Sequence, residues 1–216
     1  MRYSICYSVF AIDVDGDGDV DALTASYGDD TVAWYENDGS QSFTGHSITS
    51  AADGASSAVA LDLDGDGDVD ALSGSVEGDT VAWYENDGSQ SFTEHVISNS
   101  ADSVYTVFAI DVDGDGDVDA LSASENDDTV AWYENDCATL APTAAPTTSP
   151  KPTTSFEPTT AAPTPRPTIF CTSVAFSAHN ITTLADGIRG MSASDVDGDG
   201  DVDALSASQN DDTVAW

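Results

Sequence analysis

The nine residues DVDGDGDVD, from Asp13 to Asp21, decide the fold of this chain because they recur at fixed intervals. The second copy, DLDGDGDVD, runs from Asp62 to Asp70, and two further copies run from Asp111 to Asp119 and from Asp195 to Asp203. Each copy has Asp at positions 1, 3, 5, 7 and 9 and Gly at positions 4 and 6. We call these four segments the acidic loops; the rest of the repeat keeps a fixed distance from them.

The acidic loops mark a repeat of 49 residues. The first three loops start 49 residues apart, and so do the tryptophans that follow them, Trp34, Trp83 and Trp132. The next interval is 84 residues, both between loops and from Trp132 to Trp216. An insertion of 35 residues therefore separates the third and fourth units, and the regular spacing indicates a repeat architecture.

Each unit contains four short stretches that are typical of β-strands. The first precedes the acidic loop, as in Val107–Ile110, and the second follows it, as in Val118–Ala123. The third is TVAWYEN, as in Thr129–Asn135, and the fourth begins with Phe, as in Phe92–Ile97. Four strands in a repeat of this length predict the blade of a β-propeller, an all-β fold in which each blade packs on its neighbours.

The third stretch shows how neighbouring blades would pack. It alternates, which places Val130 and Trp132 on one face of the sheet and Ala131 and Tyr133 on the other. The second strand is rich in Ala, Ser and Gly. Such small residues favour close packing between blades.

The repeat also divides the chain into units. We expect a partial propeller of about four blades, each of four antiparallel strands, and a fragment of a larger propeller, because the N-terminal residues match the inside of a repeat. The predicted units are blade 1 (1–53), blade 2 (54–102), strands one to three of blade 3 (103–136), the insertion (137–175), the last strand of blade 3 (176–186) and a partial blade 4 (187–216).

The insertion has the composition of a disordered segment. All eight prolines lie between Pro142 and Pro167, among Thr, Ala and Ser, so we expect an extended chain that builds no core. It is either an O-glycosylated extracellular stalk or an unmodified linker. Cys137 and Cys171 flank it and are either bonded or free, since spacing alone cannot establish a disulfide. Asn180-Ile181-Thr182 is an N-glycosylation sequon, used or unused.

The overall charge excludes several partners. The formal net charge is −36, with 40 acidic residues against 4 basic ones, so we expect no binding to nucleic acid or to anionic membranes. A disordered acidic protein is disfavoured because 40% of the residues are apolar and recur in order. No run of about 20 apolar residues exists, and we expect no membrane insertion.

The acidic loops have the chemistry of a cation site. Five Asp in nine residues repel one another unless a cation neutralises them, and oxygen ligands around a Gly turn suit Ca²⁺ better than Mg²⁺ or Zn²⁺. An EF-hand loop begins similarly but requires Glu at position 12 and flanking helices. The flanks here are predicted strands, and position 12 is a hydroxyl residue in every copy, namely Thr24, Ser73, Ser122 and Ser206.

The pattern D-x-D-x-D-G-x-x-D after a short strand, with WYEND closing the third strand, resembles the FG-GAP/VCBS repeats of integrin-α-type β-propellers. The resemblance implies one Ca²⁺ per loop, up to four in all. Position 7 would contribute its backbone carbonyl and the other four positions their side chains. The implied metal ligands are Asp13, Asp15, Asp17, Asp19 and Asp21; Asp62, Asp64, Asp66, Asp68 and Asp70; Asp111, Asp113, Asp115, Asp117 and Asp119; and Asp195, Asp197, Asp199, Asp201 and Asp203.

The same resemblance implies a function and a ligand-binding face. Ligands would bind opposite the acidic loops, where the loops between strands two and three cluster, at Tyr27–Asp30, Val76–Asp79, Glu125–Asp128 and Gln209–Asp212. We therefore expect a calcium-binding module of a secreted or cell-surface protein that binds an extracellular protein or glycan in adhesion or recognition. The alternative is the propeller part of a carbohydrate-active enzyme such as a polysaccharide lyase.

No residue has the singularity expected of a catalytic group, and we predict none. His46, His95 and His179 all occupy the motif F-x-x-H of the fourth strand, so we interpret them as structural. The glutamates of WYEND repeat likewise and are expected in turns or at the rim. Cys6, in the first strand, is expected to be a small buried residue.

Overall fold

The computed structural model describes residues 5–136, 174–183, 186–199, 201–210 and 212–215. Within these ranges the chain contains fifteen strands and no helix. The described part of the chain therefore offers no helix long and apolar enough to cross a membrane. Cys137, Cys171 and the Pro/Thr-rich segment between them lie outside the described residues.

The strands form four antiparallel sheets, each following chain order, and these are the blades of the predicted β-propeller. Blade 1 consists of β1 (Cys6–Ile12), β2 (Asp21–Ser26), β3 (Thr31–Asn37) and β4 (Phe43–Thr49). Blade 2 consists of β5 (Ala55–Leu61), β6 (Asp70–Ser75), β7 (Thr80–Asn86) and β8 (Phe92–Ser98). Blade 3 consists of β9 (Val104–Ile110), β10 (Asp119–Ser124), β11 (Thr129–Asn135) and β12 (Phe176–Thr182), and blade 4 of β13 (Ile188–Ser194), β14 (Asp203–Ser208) and β15 (Val214–Ala215).

Strand bounds differ slightly from those predicted. The first strand of blade 3 starts at Val104 instead of Val107, because Val104 and Thr106 still pair with β10 across a register shift. The second strand starts at Asp119, one residue later than expected, because Asp119 makes the first pair with Ile110. The third strand, Thr129–Asn135, has the predicted bounds.

The hairpin that carries the insertion has the same base as its counterparts. Asn135 pairs with Phe176 as Asn37 pairs with Phe43 in blade 1. The amide of Asp136 donates to the carbonyl of Ala175 at 2.8 Å, which closes the hairpin. The hairpin of β11 and β12 is therefore paired at its base as in the other blades.

The core lies between blades and uses the two predicted faces of the third strand. Val81 and Trp83 of blade 2 are buried against blade 3, and Ala82 and Tyr84 are buried against blade 1. Alanines of the second strand, such as Ala71, complete the face towards blade 1. Each blade thus presents Leu, Val and Trp to the next blade and Ala and Tyr to the previous one.

The first blade shows what happens where no described blade covers the Ala and Tyr face. Tyr35 is 41% exposed, whereas its equivalents Tyr84 and Tyr133 are 2% and 3% exposed. Cys6 lies at this open side and is exposed, so the expectation that it is buried was wrong. Its thiol contacts the carbonyl of Ser8 at 3.2 Å.

Three aspartates in the loops between the second and third strands hold consecutive blades together. Asp30, Asp79 and Asp128 all have positive φ, from 50° to 58°. The carboxylate of Asp30 accepts a hydrogen bond from the amide of Gly54 at 2.9 Å, and Asp79 does the same for Ser103. Asp128 accepts a hydrogen bond in the same way from the amide of Gly187, the residue before β13, at 3.1 Å. These contacts link each blade to the next one.

Candidate metal centre

Each acidic loop turns tightly between the first and second strands of its blade. Gly16 and Gly18 have φ values of 77° and 96°, the left-handed region that glycine adopts without a Cβ penalty. The resulting turn brings the amides of Gly16 and Gly18 onto the carboxylate of Asp13, at 2.8 and 2.9 Å. The side chain of position 1 therefore holds the loop in shape by accepting hydrogen bonds from backbone amides of the loop.

The turn gathers the carboxylates of positions 1, 3 and 5 in all four loops. In each loop one oxygen from each of these residues lies within 4.8 Å of the other two. Ca²⁺ binds oxygen at about 2.3–2.6 Å, so two of its ligands are separated by at most about 5 Å. The spacing fits a single Ca²⁺ among the three carboxylates. The groups are Asp13, Asp15 and Asp17; Asp62, Asp64 and Asp66; Asp111, Asp113 and Asp115; and Asp195, Asp197 and Asp199.

The second loop lies between two other blades, and the pKa values of two of its three grouped carboxylates are raised. Burial, together with the charges of Asp66 and Asp62, raises the pKa of Asp64 to about 6. Burial also raises the pKa of Asp62. These carboxylates repel one another in a partly buried site, and a cation would favour their charged forms.

A buried oxygen in the same loop supports the fit of a cation. Asp62 Oδ1 is shielded from solvent and has no hydrogen-bond partner among the described residues. Beside it, a cavity of about 220 Å³ separates the second loop from the third and is lined by Asp62, Asp64 and Asp117. The donor set is made of oxygens alone, which matches the preference of Ca²⁺.

The structure gives position 9 a role that the sequence did not reveal. Asp70 is 1% exposed, and its two oxygens accept hydrogen bonds from the amides of Leu63 and Asn86, at 3.0 and 2.8 Å. Burial raises the pKa of Asp70 to about 7. Position 9 therefore ties the acidic loop to the third strand of the blade. Asp21, Asp119 and Asp203 make the corresponding bond to the second residue of their own loops.

Position 7 makes contacts that differ from those of positions 1 and 9. The amide of Asp19 donates to Asp17 at 2.8 Å, which continues the turn. Its side chain lies against Gly39 in the turn between β3 and β4, where a Cβ would collide with the carboxylate. Asp68 and Gly88 repeat this contact in blade 2. Position 7 therefore joins the loop to the neighbouring turn, while Asp117 and Asp201 hold the same sequence position in loops 3 and 4.

The asparagine that ends TVAWYEN is a second residue that sequence reasoning missed. Asn86 and Asn135 are 1% and 0% exposed, and their amides donate to position 9. The side chain of Asn135 also donates to the carbonyls of Val118 in its own loop and Leu63 in the loop of blade 2, at 3.0 and 3.2 Å. The signal was its constant distance of 16 residues from position 9.

The repeated histidines are structural in their geometry. His95 Nε2 lies 2.8 Å from Glu85 Oε2, and the imidazole stacks on Trp83 with ring centroids 4.6 Å apart. The same three-residue contact recurs in blades 1 and 3. The glutamates lie within the third strand, not in a turn, and pair with the histidines. The other sets are Trp34, Glu36 and His46, and Trp132, Glu134 and His179.

The fold and the loops together define a β-propeller built from repeats that carry an acidic loop in the first hairpin of each blade. The family model described as FG-GAP-like repeat matches residues 13–73 and 62–122, which together span just over half of the chain. The protein belongs to the FG-GAP-like repeat family.

Comparison with solved structures gives a similar chain of low sequence identity. The crystal structure of the V. cholerae biofilm matrix protein Bap1 matches with a TM-score of 0.49 and 17% identity, over 100% of this chain and 31% of that chain. This chain thus spans less than a third of the length of that protein. No curated protein matches the sequence.

Proposed function

We propose that this chain is a calcium-binding β-propeller module of a secreted or cell-surface protein, and that its calcium is structural. The observation that carries the proposal is the grouping of three carboxylates within 4.8 Å in every acidic loop. Each group would hold one Ca²⁺, up to four in all. Family membership supports the proposal.

A structural role follows from where the groups lie. Each acidic loop connects the first two strands of a blade and is tied through position 9 to the third strand, as in the bond from the amide of Asn86 to Asp70. A cation at positions 1, 3 and 5 would therefore stabilise three strands at once. It would also offset the mutual repulsion of the five aspartates in the loop.

The proposed site favours an extracellular setting. Extracellular calcium modules bind at about 10⁻⁴ to 10⁻³ M, which suits the calcium concentration outside cells. The proposal of adhesion or ligand recognition, with a protein or glycan as the partner, rests on the propeller architecture and on the face opposite the acidic loops.

That face presents aromatic and charged side chains that contact one another. Tyr7 and Tyr27 lie with ring centroids 5.2 Å apart, and Tyr27 donates to Glu77 of the next blade at 2.6 Å. Arg189 lies 4.5 Å from the ring centroid of Tyr105. Tyrosine and arginine are enriched among residues that dominate binding energy. We propose this surface as the ligand face.

Calcium titration tests the metal proposal. We expect isothermal titration of the calcium-free protein with Ca²⁺ to show four sites. Asp64→Asn, at position 3, should remove one of them. Asp68→Asn at position 7 is the matched control, because position 7 is expected to bind through its carbonyl and should keep four sites. Absence of calcium binding, or four sites in Asp64→Asn, would contradict the assignment.

A separate experiment tests the recognition proposal. We expect binding without turnover when the protein is applied to arrays of glycans and extracellular proteins. Uronate polymers are assayed in parallel for lyase products by absorbance at about 235 nm, the wavelength of the unsaturated product. Turnover would contradict the proposal and support the carbohydrate-active enzyme considered from the sequence.

A further inference from the structure

A cavity of about 200 Å³ lies between blades 2 and 3, away from the acidic loops. We call it the inter-blade groove. Its walls come from the connection that follows β8 and from the Ala and Tyr face of blade 3. Its lining includes Ser98, Ser124, Asp127, Tyr133, Ala178 and Asn180.

The groove is open because the last strand of blade 3 differs from that of blade 2 at two positions. Ala178 pairs with the tyrosine of the third strand, at the position where blade 2 has Glu94. The shorter side chain leaves space beside the sheet. Asn180 pairs with the central alanine of the third strand, where blade 2 has Val96. An amide with donors and an acceptor thus replaces an apolar side chain.

A third difference from blade 2 adds a carboxylate, which blade 1 also has at this position, as Asp29. Asp127 lines the groove from the loop between β10 and β11, at the position that Gly78 occupies in blade 2. Its partial burial and the charge of Asp102 raise its pKa. These three differences from blade 2 enlarge the groove and make it polar.

The floor of the groove contains a polar atom that lacks a partner. Ser124 is 1% exposed, and its hydroxyl has no hydrogen-bond partner among the described residues. Buried hydroxyls are normally paired with protein or water, because an unpaired one is destabilising. Rotation about χ1 can direct this hydroxyl towards a ligand in the groove.

We propose that the inter-blade groove binds one neutral sugar residue. Its volume is below the roughly 300–1,000 Å³ of pockets for drug-sized ligands, so a single ring is favoured over an oligomer. Asp127 accepts hydrogen bonds from sugar hydroxyls, and Asn180 both donates and accepts. The carboxylate and the net charge of −36 disfavour uronates and other anionic sugars.

The test uses the chain produced in a bacterial host in calcium-containing buffer, so that the sequon at Asn180 carries no glycan. Saturation-transfer NMR is measured with methyl glycosides of glucose, galactose and mannose, and with methyl glucuronide. We expect transfer to at least one neutral glycoside, with a dissociation constant on the order of 1 mM, and none to the glucuronide.

Variants that restore the residues of blade 2 make the test specific and are compatible with the fold. Ala178→Glu fills the groove and Asn180→Val removes its amide, and each should lower the affinity at least fivefold without changing the melting temperature. Ser47→Val, at the equivalent position of blade 1, is the matched control and should bind as the wild type does.

Two results would exclude the groove as a sugar site. One is a wild-type protein that gives no transfer to any neutral glycoside. The other is transfer that Ala178→Glu leaves unchanged, which would place the sugar elsewhere, including on the proposed ligand face. Transfer to the glucuronide as strong as to the neutral glycosides would overturn the selectivity for uncharged sugars. None of these outcomes depends on the calcium titration.

Discussion

Asp21 and Asn37, sixteen residues apart, are joined by a hydrogen bond of 2.8 Å from the amide of Asn37 to Asp21 Oδ1. The other carboxylate oxygen of Asp21 accepts from the amide of Val14, also at 2.8 Å. Asp21 is 2% exposed. Position 9 of the acidic loop is therefore part of the framework of the blade, in addition to any contribution to a cation site.

This relationship predicts that Asp21→Ala destabilises the protein even when calcium is chelated. The substitution leaves the amides of Val14 and Asn37 without their acceptor, which costs about 2–4 kcal/mol for the two groups together. Urea unfolding in EDTA measures the change. Asp19→Ala, two residues earlier, is the control and should change the free energy of unfolding by less than about 1 kcal/mol.

If position 9 served calcium alone, the two variants would unfold alike in EDTA and would differ only when calcium is added. That result would contradict the structural role assigned to Asp21.

The packing between blades 2 and 3 predicts a strong effect at Gly74. A Cβ at this position would lie 2.6 Å from Val104 Cγ1 and 3.0 Å from Val107 Cγ1. Gly74→Ala should therefore cost about 1–3 kcal/mol, the usual range for an overpacked core. The equivalent residue of blade 1, Ala25, is fully buried but faces alanines instead of valines.

A double-mutant cycle checks this explanation. Val104→Ala places an alanine opposite Gly74→Ala, as Ala55 lies in the contact of blades 1 and 2. The double variant should be less destabilised than the sum of the single variants, by about 0.5–3 kcal/mol. Simple additivity in thermal and urea unfolding would show that the two positions do not compete for space.

The buried Tyr84 predicts a loss of stability at alkaline pH. Burial raises its pKa from 10.0 to about 12, and its hydroxyl contacts that of Ser73 at 3.2 Å. The folded-state pKa is above the unfolded one, so the contribution of the neutral phenol is fully present below pH 10. It is lost as the pH rises to about 12, and its size is roughly 2–3 kcal/mol.

Melting temperatures between pH 9 and 12 measure this loss. Tyr84→Phe should reduce the decline over that range, at a cost of about 1 kcal/mol at neutral pH for the lost hydrogen bond. Tyr35→Phe, at the equivalent but 41% exposed position, should decline as the wild type does. Equal slopes for all three proteins would contradict the role of Tyr84.

Much of the fold could be predicted because local sequence patterns that recur in every repeat determine it. The 49-residue interval and the alternation in TVAWYEN determine the blades and the face that each side chain occupies. Contacts that join different repeats could not be read in this way. The bonds from the amide of Gly54 to Asp30 and from the side chain of Asn135 to Leu63 depend on how two blades are placed, which no local pattern encodes.

The candidate site was predicted in composition and only partly in geometry. The loop pattern identified carboxylates that suit Ca²⁺, and the structure brings positions 1, 3 and 5 together. A pattern that repeats Asp five times gives each aspartate the same weight. Only the fold distinguishes Asp70 from Asp68. Asp70 is buried and accepts hydrogen bonds from two amides, whereas the side chain of Asp68 contacts Gly88.

Thermal unfolding of the chain with and without calcium tests the structural role of calcium most directly. We expect 2 mM Ca²⁺ to raise the melting temperature above that in EDTA by at least 10 °C, because several sites bind the folded state alone and each adds stability by mass action. Mg²⁺ at the same concentration should give a smaller shift. An equal melting temperature in Ca²⁺ and in EDTA would contradict a structural role for calcium.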